Sequence, residues 1–99
     1  MSCCRTTLLK YRSEQDADEL ISTYRLNAST DFPDAEILLC TRTSASTAVM
    51  TSLYSSKEKA DRAMAARKPI LEDAKANAKI ESMETHEGDA FSLRRRKSG

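Results

Sequence analysis

Three segments of this chain place large apolar side chains on consecutive residues of strand-like stretches, and no other feature limits the possible folds as much. The segments contain Leu8-Leu9, Ile37-Leu38-Leu39-Cys40, and Val49-Met50 with Leu53-Tyr54. Successive residues of a strand point to opposite faces of its sheet. Leu8 therefore opposes Leu9, Ile37 and Leu39 oppose Leu38 and Cys40, and Val49 and Leu53 oppose Met50 and Tyr54. An antiparallel sheet that meets water on one side is polar there. Here a layer of helices on either face leaves several apolar side chains on the other, each contributing roughly 1.5–3 kcal/mol when buried. The simplest cover is a second copy of the same sheet related by a two-fold axis. A tail folded back through Phe91 and Leu93 is the alternative. The apolar fraction, 39% of 99 residues, is below the ~45–50% usual for globular chains, so a small core gains from association.

The order of elements follows from a pass along the chain. "CCRTTLLKYR", 3–12, reads as a strand with Thr6 and Leu8 on one face and Thr7, Leu9 and Tyr11 on the other. Ser13 then offers a side-chain oxygen to cap a helix, with Glu14 and Asp16 at its positive end. Ala17, Leu20, Ile21 and Tyr24 recur at helical spacing. This helix is expected to stop near Asn27, since "NASTDFPD" has loop chemistry and Pro33 enforces an extended entry. A hairpin over 35–54 follows, turning at Ser44-Ala45-Ser46 without the Asn-Gly or Asp-Gly pair of the favoured tight turns. Within "STAVMTSLYSSKEKADRAM", 46–64, strand spacing gives way to helical spacing after Tyr54. Ser55 with Glu58 predicts a capping box there. Ala60, Ala63, Met64, Arg67, Leu71, Ala74 and Ala78 line one side of the second helix, and Pro69 predicts a break in it. "KIESMETHE", 79–87, is the last strand. The order β-α-β-β-α-β describes a ferredoxin-like α+β sandwich with an antiparallel sheet. It makes one domain over residues 1–90, with a basic tail over 91–99 that is expected to be flexible.

Composition removes several classes of function. With two glycines, Gly88 and Gly99, no phosphate-cradling glycine loop exists. The net charge of +1, with both signs mixed along the chain, supplies no field for nucleic acid or an anionic membrane. Only the cluster Arg94, Arg95, Arg96 and Lys97 departs from that; a solvated terminus is the plain reading of it, and a nucleic-acid or localisation patch is the alternative. Cys3, Cys4 and Cys40 form no disulfide framework, and the start carries no apolar signal segment, so a cytoplasmic location is expected. No run reaches the ~18 apolar residues of a membrane span.

Among candidate site residues, Tyr54 ends a core strand and Tyr24 lies on the apolar stripe of the first helix. Each offers an amphipathic ring to a core or to a ligand pocket. His86 with Glu84, on one strand face, is a weak acid–base or metal pair in an acidic, solvated strand. Adjacent Cys3 and Cys4 face opposite ways and form a poor metal site, and Cys40 reads as a small hydrophobe.

The segment "FPDAEILLCTRTSASTAVMTSLYSSKEKADRAM" resembles the antibiotic biosynthesis monooxygenase-like group of dimeric α+β barrels. The carrying residues are Phe32-Pro33 at the entry to the second strand, Tyr54 at the end of the third, and Ser56 and Glu58 into the second helix. The order of elements extends the resemblance over residues 5–87. It implies a homodimer whose sheets form a shared barrel, with a pocket for a small apolar or aromatic molecule between sheet and helices. Some members of the group oxidise phenolic polyketides with dioxygen and no cofactor, and no cofactor is expected here. Tyr24, Tyr54 and Asn27 are the residues the resemblance offers to orient such a substrate. The haem-degrading branch uses an Asn on the first strand and a Trp and His on the second helix. This chain has no Trp, and Cys4, Ala63 and Asp73 stand near those places, which argues against haem. A non-catalytic binding or structural dimer is the alternative reading. RNA-recognition domains share the element order but stack bases on central-strand aromatics, of which only Tyr11 and Tyr54 are present. Metal-chaperone relatives of the fold carry a CxxC that this chain lacks.

Overall fold

The computed structural model describes residues 2–71 and 74–93, and the side chains of all of these except 67–71 and 74–75. Strand β1, Ser2–Tyr11, leads to helix α1, Glu14–Asp31, then to strands β2, Ile37–Ser44, and β3, Thr47–Tyr54. Helix α2, Lys57–Leu71, and a single turn α3, Ala74–Asn77, precede strand β4, Ile80–Ala90. The four strands form one sheet in the order β2-β3-β1-β4, with every neighbouring pair antiparallel. This is the expected ferredoxin-like β-α-β-β-α-β arrangement. Among the described residues, no helix is long and apolar enough to cross a membrane.

Local chemistry accounts for the element boundaries, and four of them differ from expectation. Ser13 caps α1 as predicted, its Oγ accepting from the Asp16 amide at 3.0 Å. The helix does not stop near Asn27. It continues to Asp31 because Phe32, buried in the core, anchors its end beside Tyr24 with ring centroids 6.1 Å apart. The Phe32 amide donates to the Ala28 carbonyl at 2.8 Å, and Pro33 then turns the chain out. At the next junction the cap is Ser56 rather than Ser55. Its Oγ accepts from the Lys59 amide at 3.2 Å, which leaves Glu58 in the first turn facing the helix dipole. Ser55 is used in leaving the strand. Helix α2 runs through Pro69 to Leu71 without the expected break, at the cost of the one hydrogen bond that the proline nitrogen cannot donate. The last strand reaches Ala90, beyond the expected Glu87, by pairing with β1 as far as Ser2.

The β2–β3 turn contains no residue with positive φ. A register shift between Arg42 and Ser44 takes up the strand twist instead, so the turn needs neither glycine nor asparagine. The Tyr11 amide donates to the Ser46 carbonyl at 2.8 Å and ties this turn to the end of β1.

The two sheet faces divide as the alternation requires. Cys3, Leu9 and Tyr11 of β1 and Ala48 and Tyr54 of β3 are buried under the helices, with Leu38 and Cys40 packed beside them. On the opposite face Leu8 pairs across strands with Val49, and Leu53 pairs with Ile37. Leu8, Ile37 and Leu39 are 43%, 46% and 56% exposed there. Phe91 and Leu93 do not cover this face, being 74% and 91% exposed. The Arg94–Lys97 cluster and Asp73 lie outside the described residues.

Candidate functional site

Along the covered face of β1 the residues read Cys3, Arg5, Thr7, Leu9, Tyr11. Large apolar packing occurs at both ends of this row and not in the middle. One core cluster gathers Cys3, Phe32, Tyr54, Ala60 and Ala63, with Tyr24 against it. A second gathers Leu9, Tyr11, Ala17 and Ala48, with Leu20, Met50 and Ile80 against it. Between them Arg5 and Thr7, opposite Ser52 and Met50 of β3, do not fill the space beneath the helices. The result is a cavity of about 410 Å³, within the range of small-molecule sites.

Its wall has two characters. Leu9, Leu20, Phe32, Met50, Met64 and Met83 make it mainly apolar. Arg5, Thr7, Ser52 and Thr85 lay a polar strip across the sheet floor, with the Thr7 and Thr85 hydroxyls 3.1 Å apart. The Arg5 side chain is only 12% exposed and its Nε lies 3.3 Å from Glu87 Oε2 on the neighbouring strand. Among the described residues, Arg5 Nη1 and the Tyr11 hydroxyl are the buried side-chain polar atoms without a hydrogen-bond partner. Burial pushes the Tyr11 phenol up to about 12, the Cys40 thiol adding to that and Arg42 opposing it. Burial also raises the Cys3 thiol, and Glu87 adds to the effect. Both groups are therefore neutral at physiological pH and neither is an activated nucleophile or base.

Tyr54 and Tyr24 line this cavity, Tyr54 fully buried and Tyr24 partly so. Asn27 is exposed on α1 and is not part of the lining. His86 stands in solvent, 3.0 Å from Glu84 and away from the cavity. No group of three metal-binding side chains occurs among the described residues. Arg5 and Tyr11 are the lining residues that sequence reasoning missed as site candidates. The available signal was an arginine on the covered face of a central strand, where a charge is costly unless paired.

A ferredoxin-like sheet with an amphipathic cavity beneath its helices defines the class. No family model and no curated protein matches the sequence. Solved structures do. A dimeric ferredoxin-like protein from an uncultured marine organism is 13% identical and aligns over 97% of this chain and 100% of its own, with a TM-score of 0.76. A protein from Chloroflexus aurantiacus J-10-fl named as an antibiotic biosynthesis monooxygenase is 13% identical over 95% and 97% of the two chains, with a TM-score of 0.72. SnoaB from Streptomyces nogalater, a cofactor-independent oxygenase, is 12% identical over 93% and 95%, with a TM-score of 0.70. The resemblance expected from residues 32–64 is thus matched by a likeness of fold.

Proposed function

We propose that this chain works as a homodimer that binds a small, mainly apolar or aromatic molecule in the cavity of each subunit and oxidises it with dioxygen. The observation that carries the binding reading is the cavity itself. The core packs tightly at both ends of β1 and leaves about 410 Å³ between, walled by apolar side chains over a polar floor. The dimer is supported by the uncovered apolar face around Leu8, Val49, Ile37, Leu39 and Leu53, which the described tail residues leave bare. A structural neighbour with that fold is a dimer. Packing the two faces about a two-fold axis makes the patch self-complementary and closes the two sheets into a shared barrel.

The oxidation reading is supported by the fold it shares with SnoaB, a cofactor-independent oxygenase. For a hydroxyarene and dioxygen giving a quinone and water, the balance needs no further reductant. One oxygen atom enters the ring in place of a C–H, the other leaves as water, and the ring gives up the electrons. The protein's part is to hold the ring in a dry pocket and to stabilise its ionised oxygen. Tyr54, closing the Cys3 end of the cavity, is a wall whose hydroxyl hydrogen-bonds the ligand's oxygen.

Native mass spectrometry of freshly purified protein reports subunit number and any retained molecule together. Oxygen uptake with hydroxynaphthalenes then tests catalysis, and Tyr54→Phe is expected to lower the rate. A dimer that binds these compounds without consuming oxygen establishes the non-catalytic reading instead. An unchanged rate in Tyr54→Phe removes the hydroxyl from the chemistry.

A further inference from the structure

Arg5 is out of place for a residue that only supports the fold. It occupies the covered face of the central strand β1, in a row where Cys3, Leu9 and Tyr11 are core and only Thr7 beside it is polar. Its side chain is mostly withdrawn from water, and among the described residues one carboxylate pairs with it, through Nε, at a separation of 3.3 Å. That carboxylate, Glu87, keeps 27% of its side-chain surface exposed and is therefore partly hydrated. The other edge of the guanidinium has a nitrogen, Nη1, that is buried without a partner among the described residues. A guanidinium carries five N–H donors in a planar fork and matches oxygen anions edge to edge. The hydroxyl-bearing Ser52 is its cross-strand neighbour, and both belong to the cavity wall. Away from this strip Leu9, Leu20, Met50 and Met83 make the wall apolar, and Lys79, another cation of the lining, is held by Glu19 at 2.6 Å.

We infer that Arg5 is the anion anchor of the cavity, so that its ligand is an apolar or aromatic body carrying one ionised oxygen group, a carboxylate or a phenolate. The inference rests on the ligand-binding reading above and sharpens it. The ligand's oxygen supplies the acceptor that Nη1 lacks, the Arg5 side chain turning from the wall to meet it, while Ser52 donates a neutral hydrogen bond. The apolar body lies along β1 toward Leu9 and Met50. Glu87 competes with the ligand for the same cation, which sets the affinity and keeps the unliganded guanidinium from standing alone. A neutral ligand of the same shape gains the apolar contacts and forgoes the charge-assisted bond.

Calorimetric titration of the full chain with naphthoate and with its methyl ester, two ligands of one body and different charge, tests this. The wild-type protein is expected to bind naphthoate at least tenfold more tightly than the ester. Arg5→Met is expected to abolish that preference by weakening naphthoate alone. Glu87→Gln removes the competitor and is expected to tighten naphthoate severalfold, with the ester unchanged. Equal affinity for the two ligands in the wild type, or a preference that survives Arg5→Met, overturns the anchor and leaves the cavity reading standing. Binding of neither ligand overturns both. Should Arg5→Met fail to fold, Glu87→Gln decides: unchanged or weakened naphthoate binding refutes the role of Arg5.

Discussion

Replacing Tyr11 with phenylalanine separates the cost of a buried hydroxyl from the benefit of the ring that carries it. The ring is 2% exposed and belongs to the core cluster with Leu9, Ala17 and Ala48, so the substitution keeps nearly all the packing. The hydroxyl has no partner among the described residues. An unsatisfied buried polar group costs about 1–3 kcal/mol, so Tyr11→Phe is expected to raise stability at neutral pH by about 1 kcal/mol. The second consequence is a dependence on pH. The folded-state value of about 12 stands above the ordinary 10.0, so the native protein holds this proton after the unfolded chain has released it. The associated stability is therefore complete below pH 10 and is lost progressively as pH rises toward 12. The gap amounts to at most roughly 2–3 kcal/mol, and Tyr11→Phe removes that loss. Urea unfolding of both proteins at several values between pH 8 and 11.5, with reductant present, measures the difference directly. The two stabilities should diverge above pH 10, the variant falling less. Parallel curves, or a variant less stable by 1 kcal/mol or more at pH 7, would show that the hydroxyl is satisfied and the reasoning wrong.

Phe32→Ala should cost about 3–5 kcal/mol in the same assay, because Phe32 fills the Cys3–Tyr54 cluster and anchors the end of α1; a loss under 1 kcal/mol would mean that α1 is held by something else. Ser13→Ala should cost about 1 kcal/mol through loss of the bond to the Asp16 amide, and no change would show the cap to be replaced by water. Leu39→Glu, on the uncovered sheet face, should weaken self-association by roughly a hundredfold. Symmetry doubles the loss of about 1.5 kcal/mol per leucine, and equal association by the variant would place the interface elsewhere.

Legibility in the sequence followed the range of the interactions involved. The alternation in Leu8-Leu9 and in Ile37 through Cys40 needs nothing distant to be read, and it assigned both faces of the sheet correctly. Ser13 and the Ala17-Leu20-Ile21-Tyr24 stripe are likewise local. The end of α1 was misplaced because Ser29 and Thr30 have loop preferences, whereas the deciding contact is Phe32 with Tyr24 and the far strand that carries Cys3. The alternation of the last strand puts Ile80 on one face with Glu84 and His86, opposite Met83, and this holds except at its start. There the register shift beside Lys10 pairs Ile80 with Tyr11 and brings it to the helix side with Met83. Propensity carries no information about such a bulge. Tyr54 drew attention as a ring at a strand end and Tyr24 as a ring on the apolar stripe of the first helix, and both line the cavity. Arg5 did not, because an arginine in a strand ordinarily faces water. Its partner Glu87 is brought opposite only by the pairing of the first strand with the last.

The proposed dimer depends most on what covers the sheet face that carries Leu8, Ile37, Leu39, Val49 and Leu53. Sedimentation equilibrium of the purified full chain over a wide concentration range addresses it without any assumption about ligand or reaction. A species of twice the chain mass that persists on dilution is the predicted result. A single subunit at the highest concentrations, its apolar strands still open to water, would contradict the shared barrel and the assembly proposed from it.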